Sequence, residues 1–356
     1  MRILLLALLA AVAAFAQPQI EEGDINGAKF HIEIPAQWNG SLIVFCHGYS
    51  AKPVAVKHNG LMQPLLDQGY AVVQSGYAAG GWAVEEALQD TEALRHYFIR
   101  KHGKPKQTFI TGQSMGGHLT LALIEKHPES YDAALALCGE VAPALTFFKQ
   151  QAFDLVVQFN YYYPGVLPSP MKIPAAYVRA KENVDKYKKA LDSNPAASKY
   201  LMTTAGLPSI DVLAQVLDFF TETLGELIVR TGGNAFDNRN TLYAGSADDN
   251  ALNSGVERIA ANPKSADYLR TYYSPTGQLK RPVIAVQTTW DQLIPSWATN
   301  YYPALIEQNG TGHLFVQQLV KRGGHCNIRP DEIANSFRQL VEWKNGGAKP
   351  PTGVVY

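Results

Sequence analysis

The sequence has few cysteines, no excess of either charge, and no long apolar run after its first residues. Three cysteines allow at most one internal disulfide, and their spacing does not indicate a metal site. Lysine plus arginine equals aspartate plus glutamate, 31 of each, so the charge gives no sign of a nucleic-acid or anionic-membrane partner. Beyond residue 16 no stretch reaches the roughly 20 apolar residues of a membrane span. What remains is the composition of an ordinary globular protein, 46% hydrophobic.

The first 16 residues differ from the rest of the chain. Arg2 is followed by an apolar run over residues 3–14, and Ala14-Phe15-Ala16 fits a small-residue cleavage site. This pattern predicts a secretory signal peptide cleaved before Gln17, and hence a secreted or periplasmic protein. The alternative is an uncleaved membrane anchor, but the run is short for a span.

Apolar strands alternate with helices in two parts of the chain, residues 17–141 and 274–345. A half-exposed strand is predicted at 30–35, and buried strands at 41–46, 70–75, 107–111, 133–138, 282–287 and 313–320. Helices are predicted at 84–102, 118–127, 297–308 and 330–343. This alternation predicts an α/β protein with a mostly parallel central sheet flanked by helices.

The alternation stops over residues 142–273, which hold mainly helical patterns and clusters of aromatic residues. One long helix is predicted from Ser209, as N-cap, to Gly232. Because this segment is inserted between two predicted strands, we interpret it as a cap over the functional site. Residues 346–356 are predicted to be a loose C-terminal tail.

The motif Gly-Gln-Ser-Met-Gly-Gly, residues 112–117, joins a predicted strand to a predicted helix. Strand, Gly-x-Ser-x-Gly and helix together are typical of a nucleophile elbow, where a serine sits at a sharp turn. The helix directs its first N–H groups towards negative charge that develops at the serine. A Gly-rich turn with an incidental serine is the alternative, and Ser114 is the candidate nucleophile.

Three chemically useful residues follow predicted strands in the order Ser114, Asp291 and His325. Serine needs a base to remove its proton, and neutral histidine can accept it. An aspartate can then fix the histidine tautomer and stabilise the imidazolium. Since parallel strands end at one edge of a sheet, we expect the three to meet there. Glu140 also follows a predicted strand and is the competing candidate for the acid.

An oxyanion formed at the attacked carbonyl needs preorganised donors. The N–H of Met115, directly after the serine, is one candidate, and the N–H of Tyr49 is the other. Gly48 allows the backbone to approach a substrate closely. A substrate pocket is predicted from further residues near the same strand ends, which are Tyr77, Trp82, Gln113, Glu140 and Trp290. Packing of loops onto the sheet is an equally valid interpretation of the aromatic ones.

These motifs resemble those of the α/β-hydrolase superfamily of serine esterases, lipases and peptidases. The resemblance rests on His47-Gly48-Tyr49, on the elbow at 112–116, on Asp291 after Trp290, and on the late His325. It implies an α/β-hydrolase fold with an inserted cap and a Ser-Asp-His triad, working without metal or organic cofactor. It does not imply a particular substrate, because the fold hosts many chemistries.

Two subgroups share further features with the chain. The pair His325-Cys326 is similar to one in secreted tannase and feruloyl-esterase-like enzymes, where that cysteine is bridged to a cysteine preceding the nucleophile. Here that position is Gln113, so the same bridge cannot form, and Cys46 and Cys138 are predicted to be buried packing residues. The elbow and the Gly-Trp-Ala run also resemble prolyl-oligopeptidase-type catalytic domains.

The sequence therefore predicts a secreted serine hydrolase that cleaves small carboxylic esters through an acyl-enzyme. The aromatic cap favours an apolar or aromatic acyl group. The alternative within enzymes is a peptidase or amidase of the same fold, which needs the same triad. A non-catalytic binding protein with a hydrolase fold is a further alternative, although no triad member is missing.

Overall fold

The computed structural model describes residues 17–356, which form one sheet covered by helices on both faces. The predicted signal peptide, residues 1–16, lies outside the described residues. The strands within this range are β1 (Gln19–Ile25), β2 (Ala28–Ile34), β3 (Leu42–Cys46), β4 (Ala71–Ser75), β5 (Thr108–Gln113), β6 (Ala133–Leu137), β7 (Val283–Trp290), β8 (Phe315–Gly323) and β9 (Gly353–Val354).

The strands lie in the order β1-β2-β4-β3-β5-β6-β7-β8-β9. β1 and β2 are antiparallel to their neighbours, and the pairs from β4-β3 to β8-β9 are parallel. The apolar run of β3 is buried on both sides: Val44 belongs to the hydrophobic cluster on one face, and Ile43 and Phe45 belong to the cluster on the other. The predicted α/β-hydrolase fold with its mostly parallel sheet is thereby confirmed.

Helices connect and cover these strands. Those described are α1 (Gln63–Leu66), α2 (Val84–His102), α3 (Met115–Lys126), α4 (Ala144–Phe148), α5 (Asp154–Tyr162), α6 (Lys181–Asp192), α7 (Pro195–Ala205), α8 (Ile210–Thr231), α9 (Asp249–Gly255), α10 (Pro263–Tyr272), α11 (Ser296–Gln308) and α12 (Pro330–Lys344). Within residues 17–356 none of them combines the length and the hydrophobicity needed to cross a bilayer.

The segment between β6 and β7 contains α4 to α10, so the chain forms helices where the sequence predicted a helical cap. Its longest helix, α8, is capped by the hydroxyl of Ser209, which accepts a hydrogen bond from the N–H of Val212. Near its other end Arg230 donates to both carboxylate oxygens of Glu86 in α2, each at 2.9 Å. Glu226 accepts a hydrogen bond from the N–H of Trp82 at 2.9 Å. These contacts hold α8 against the loop that precedes α2. The exact domain boundaries stay a prediction.

The C-terminal residues are ordered on the sheet, and the prediction of a loose tail is wrong. β9 pairs in parallel with β8 at Gln318 and Leu319. The N–H of Lys321 donates to the carbonyl oxygen of Tyr356 at 2.9 Å, and the Tyr356 hydroxyl lies 2.8 Å from Ser336 Oγ. The open edge of β8 supplies the backbone partners that order this segment. Such pairing partners cannot be recognised from the tail's own composition.

Candidate active site

Ser114 lies between β5 and α3 in a backbone conformation that few non-glycine residues adopt. Its φ is 57° and its ψ is −124°. The flanking glycines permit this turn, since a Cβ on Gly116 would lie 2.0 Å from the carbonyl oxygen of Cys46, and one on Gly112 would lie 2.6 Å from the same atom. The turn therefore presents Ser114 at the end of β5, beside the first N–H groups of α3.

The fold brings Ser114, His325 and Asp291 into one hydrogen-bonded chain. Ser114 Oγ lies 2.8 Å from His325 Nε2, and His325 Nδ1 lies 2.7 Å from Asp291 Oδ2. With the Nδ1 proton directed at the carboxylate, Nε2 is free to accept the serine proton. These are the contacts that a serine nucleophile, a general base and an orienting acid require.

Backbone groups and one side chain hold the acid and the base in place. Asp291 is 9% exposed, and its Oδ1 accepts hydrogen bonds from the N–H groups of Leu293 at 2.8 Å and Ile294 at 3.0 Å. The N–H of His325 donates to Gln292 Oε1 at 2.9 Å. One carboxylate oxygen of Asp291 thus accepts from the backbone, and the other contacts the imidazole of His325. Sequence reasoning did not find Gln292, although it directly follows Asp291.

Two backbone N–H groups, one in the elbow and one in the loop against it, have no acceptor among residues 17–356. Met115 is the first residue of α3, so its N–H has no partner within the helix. The N–H of Tyr49 has no hydrogen-bond acceptor among residues 17–356. The Tyr49 loop lies against the elbow, because a Cβ on Gly48 would lie 3.2 Å from Ser114 Cβ. Both N–H groups therefore remain the candidate donors to a developing oxyanion.

Ser114 opens onto a small, mainly aromatic cavity. It is lined by Tyr49, Trp82, Ser114, Met115, Glu140, Phe147, Phe148, Phe219, Phe220, Thr223, Leu293 and Ile294. The space open to the centre of a water-sized sphere is only about 20 Å³. A larger cleft of about 390 Å³ lies around Asp154, within the insertion, and does not include Ser114. All four phenylalanines of the cavity come from the insertion, where the sequence shows them as two aromatic pairs without assigning them to a pocket.

The residues predicted for a substrate pocket are found in different surroundings. Trp82 and Glu140 line the cavity beside Ser114. Tyr77 is buried under the His47 ring, with ring centroids 4.0 Å apart. Trp290 lines a separate cleft next to Asp291, and Gln113 adjoins Ser114 as the last residue of β5. The Tyr77 ring thus packs against the loop that carries His47 and Tyr49, while Trp82 faces the cavity.

Glu140 does not contact His325. Its Oε2 lies 2.9 Å from His118 Nδ1, and its Oε1 accepts a hydrogen bond from the N–H of Ala142 at 2.6 Å. Burial raises the pKa of the Glu140 carboxyl, and the neighbouring His118 partly opposes that rise. Among the described residues no group of histidine, cysteine, aspartate or glutamate is arranged to hold a metal ion.

A disulfide joins Cys138 and Cys326, which are 188 positions apart in the chain. Cys138 directly follows β6, and Cys326 directly follows His325. The sequence left open whether any two of the cysteines pair; Cys138 is disulfide-bonded as well as buried, whereas Cys46 is free and buried. The loop of the candidate base is thus bonded covalently to the central sheet, through Cys138 instead of through position 113.

Reduction of this disulfide should lower the free energy of unfolding by about 2–5 kcal/mol, because the bridge restricts the unfolded chain over a long loop. The measurement is the thermal unfolding midpoint with and without dithiothreitol. A Cys138→Ala, Cys326→Ala double variant is the control, and its midpoint should not respond to the reductant. Equal midpoints for the oxidised and reduced wild type would show that the bridge adds no stability.

Comparison with known protein families gives a partial match around the serine. The model for serine aminopeptidases, S33, matches residues 39–193, which include Tyr49 and Ser114. This is less than half of the chain and does not reach Asp291 or His325. Among curated proteins, an o-phthalyl amidase from Xanthobacter agilis is 22% identical over 404 residues, covering 93% of this chain and 88% of the amidase.

Solved structures with a similar fold include a peptidase and an esterase. Acylaminoacyl peptidase from Pyrococcus horikoshii aligns with a TM-score of 0.49 and 12% identity over 97% of this chain, which spans only 44% of that peptidase. Esterase Pf2001 from Pyrococcus furiosus aligns with a TM-score of 0.49 and 13% identity over 96% of each chain. The sheet order and the serine turn show the α/β-hydrolase fold, and together with the family match over residues 39–193 they support a serine hydrolase of that fold.

Proposed function

We propose that the chain cleaves carboxylic esters through an acyl-enzyme on Ser114. The observation that carries this proposal is the continuous hydrogen-bonded chain from Ser114 Oγ to His325, at 2.8 Å, and on to Asp291, at 2.7 Å. Ser114 Oγ attacks the carbonyl carbon while its proton passes to His325 Nε2. Asp291 keeps the other ring proton at Nδ1 and stabilises the imidazolium that forms.

The tetrahedral intermediate carries a negative oxygen, and the N–H groups of Tyr49 and Met115 donate to it. When the intermediate collapses, the C–O bond to the alcohol breaks and His325 returns its proton to the departing oxygen. Water then attacks the acyl-enzyme, gives a proton to His325, and releases the carboxylic acid with Ser114 restored. This sequence of steps uses only side chains, backbone N–H groups and water.

Amide cleavage is the second candidate, and the similarity to the o-phthalyl amidase supports it. The same three side chains serve both reactions. An amine leaves only after its nitrogen is protonated, whereas an alkoxide or phenoxide leaves more readily. Ester cleavage therefore depends less on protonation of the leaving group by the residues around Ser114. For this reason we favour ester cleavage over amide cleavage.

A matched pair of substrates tests this order. The p-nitrophenyl ester and the p-nitroanilide of acetic acid share their acyl group and differ only in the leaving group. We expect an enzyme-catalysed rate for the ester at least ~100-fold above that for the anilide, within the span of known discrimination between substrates. An anilide rate equal to the ester rate would make the chain an amidase. No turnover of either would contradict both candidates and favour a binding protein.

We further propose that the protein is exported, to the periplasm or the medium. The apolar run over residues 3–14 and the disulfide between Cys138 and Cys326 support this proposal, since disulfides persist in oxidising compartments. The mass of the exported protein should correspond to a chain beginning at Gln17. A mass that includes residues 1–16 would contradict cleavage at that point.

A further inference from the structure

We infer that Phe219 restricts the acyl group to short apolar chains, so that the substrates are esters of acids such as acetic and propionic acid. This inference rests on the proposed function, because it concerns the space next to the attacking serine. The sequence predicted an apolar or aromatic acyl group; the inference keeps small apolar acyl groups and excludes aromatic ones.

The size of the cavity beside Ser114 is the first observation. About 20 Å³ is open to the centre of a water-sized sphere. An apolar cavity that admits benzene measures about 150 Å³. A benzoyl ring therefore does not fit between Ser114 and the surrounding phenylalanines, whereas a methyl or ethyl group needs only a small adjustment of the walls.

The chemistry of the cavity is the second observation. Its polar groups are largely engaged within the protein: Glu140 contacts His118 and the N–H of Ala142, and Thr223 Oγ1 donates to the carbonyl oxygen of Phe219 at 3.0 Å. Two buried oxygens, the Tyr49 hydroxyl and Glu140 Oε2, have no hydrogen-bond partner among residues 17–356, although Glu140 Oε2 lies 2.9 Å from His118 Nδ1. Rings and aliphatic side chains form the rest of the wall, so the acyl chain that fits is apolar.

The position of Phe219 distinguishes it from the other three phenylalanines of the wall. Phe147, Phe148 and Phe220 are buried in the main hydrophobic cluster, so packing fixes them on the sides that do not face the cavity. Phe219 also lines the cavity but is only half-buried. Its ring packs edge-on against Tyr49, with centroids 5.6 Å apart. Loss of this ring would open space of the size that a benzoyl group needs.

An arginine holds the Phe219 ring from its other side. The guanidinium carbon of Arg179 lies 5.3 Å from the ring centroid, and Arg179 Nε donates to Glu222 Oε2 at 2.9 Å. Glu222 lies three residues after Phe219 on α8, on the same side of the helix. Its ion pair with Arg179 therefore keeps the guanidinium over the Phe219 ring. Arg179 is thus a positioning residue for the wall and lies outside the cavity lining.

The test measures kcat/KM for p-nitrophenyl acetate, propionate, hexanoate and benzoate. For the wild type we expect kcat/KM for the acetate ester to exceed kcat/KM for the benzoate ester by at least ~100-fold. Because Phe219→Ala enlarges the cavity, it should reduce this ratio at least ~10-fold. Phe219→Leu should lie between the two. Arg179→Ala should shift the ratio in the same direction by a smaller factor. Leu242→Ala is the control, since Leu242 is 83% exposed on the insertion and should leave the ratio unchanged.

A second readout does not depend on ester turnover. Methanesulfonyl fluoride and benzenesulfonyl fluoride both sulfonylate an activated serine, and intact mass reports the rate. The small reagent should react faster with the wild type, and Phe219→Ala should reduce the difference. If the wild type turns over no ester but is labelled faster by the small reagent, only the ester assignment is overturned. A folded Phe219→Ala variant with unchanged ratios, or a wild type that accepts benzoate as well as acetate, would overturn the role of Phe219.

Discussion

Replacement of Ser114 by alanine should abolish nearly all turnover of p-nitrophenyl acetate, with a loss of at least ~10⁴-fold in kcat, because no acyl-enzyme can then form. The remaining N–H donors of Tyr49 and Met115 can still polarise a bound carbonyl, so a small residual rate above the uncatalysed reaction is expected. The measurement is the initial rate at saturating substrate, with background hydrolysis subtracted.

The fold should tolerate this change. Within residues 17–356 the side chain of Ser114 hydrogen-bonds to His325 Nε2. Thermal unfolding and circular dichroism should therefore match the wild type. Ser193→Ala is a matched control, because Ser193 follows α6 on the surface of the insertion and its loss should not affect turnover. Wild-type rates in Ser114→Ala would show that another residue is the nucleophile.

Replacement of Asp291 by asparagine should lower kcat by about 10⁴-fold, the loss seen when a triad acid is exchanged for its amide. The amide keeps nearly the same shape and can still accept from the N–H groups of Leu293 and Ile294. It can also donate a hydrogen bond to His325, which favours the tautomer with its proton on Nε2. That tautomer cannot accept the proton of Ser114, so kcat falls while KM changes little.

Glu140→Gln is the comparison that decides between the two candidate acids. Glu140 contacts His118 instead of His325, so its amide should reduce kcat far less than the Asp291 variant does. A loss in Glu140→Gln as large as that in Asp291→Asn would contradict the assignment of Asp291. Rates at several pH values should also be compared, because burial raises the pKa of the Glu140 carboxyl.

Much of the fold could be predicted because its signals are local. The run Leu42–Cys46 is apolar at every position, which is typical of a strand buried on both faces, and β3 follows it. Helix α2 begins and ends where the sequence predicted, because Gly103 and then Pro105 prevent its continuation. The edge strands β1 and β9 were not predicted. They carry few buried residues, and their partners lie elsewhere in the chain.

The candidate nucleophile, base and acid could be proposed from their order along the chain, because the ends of parallel strands meet at one edge of a sheet. Their contacts in the structure agree with that reasoning, and their roles await the variants described above. The cavity could not be predicted in the same way. Side chains from α4 and α8 enter it, and their directions depend on how Arg230 and Glu226 hold the insertion on the core.

By itself the sequence determined the class of fold, the serine at a strained turn and the order of its candidate partners, because these follow from local hydrophobic periodicity and glycine spacing. The tertiary structure decided the remainder. It selected Cys138 as the partner of Cys326, which is 188 positions away, and placed Phe219 in the wall of the cavity beside Ser114. Both depend on which distant segments come within contact distance, and that follows from packing of the whole chain.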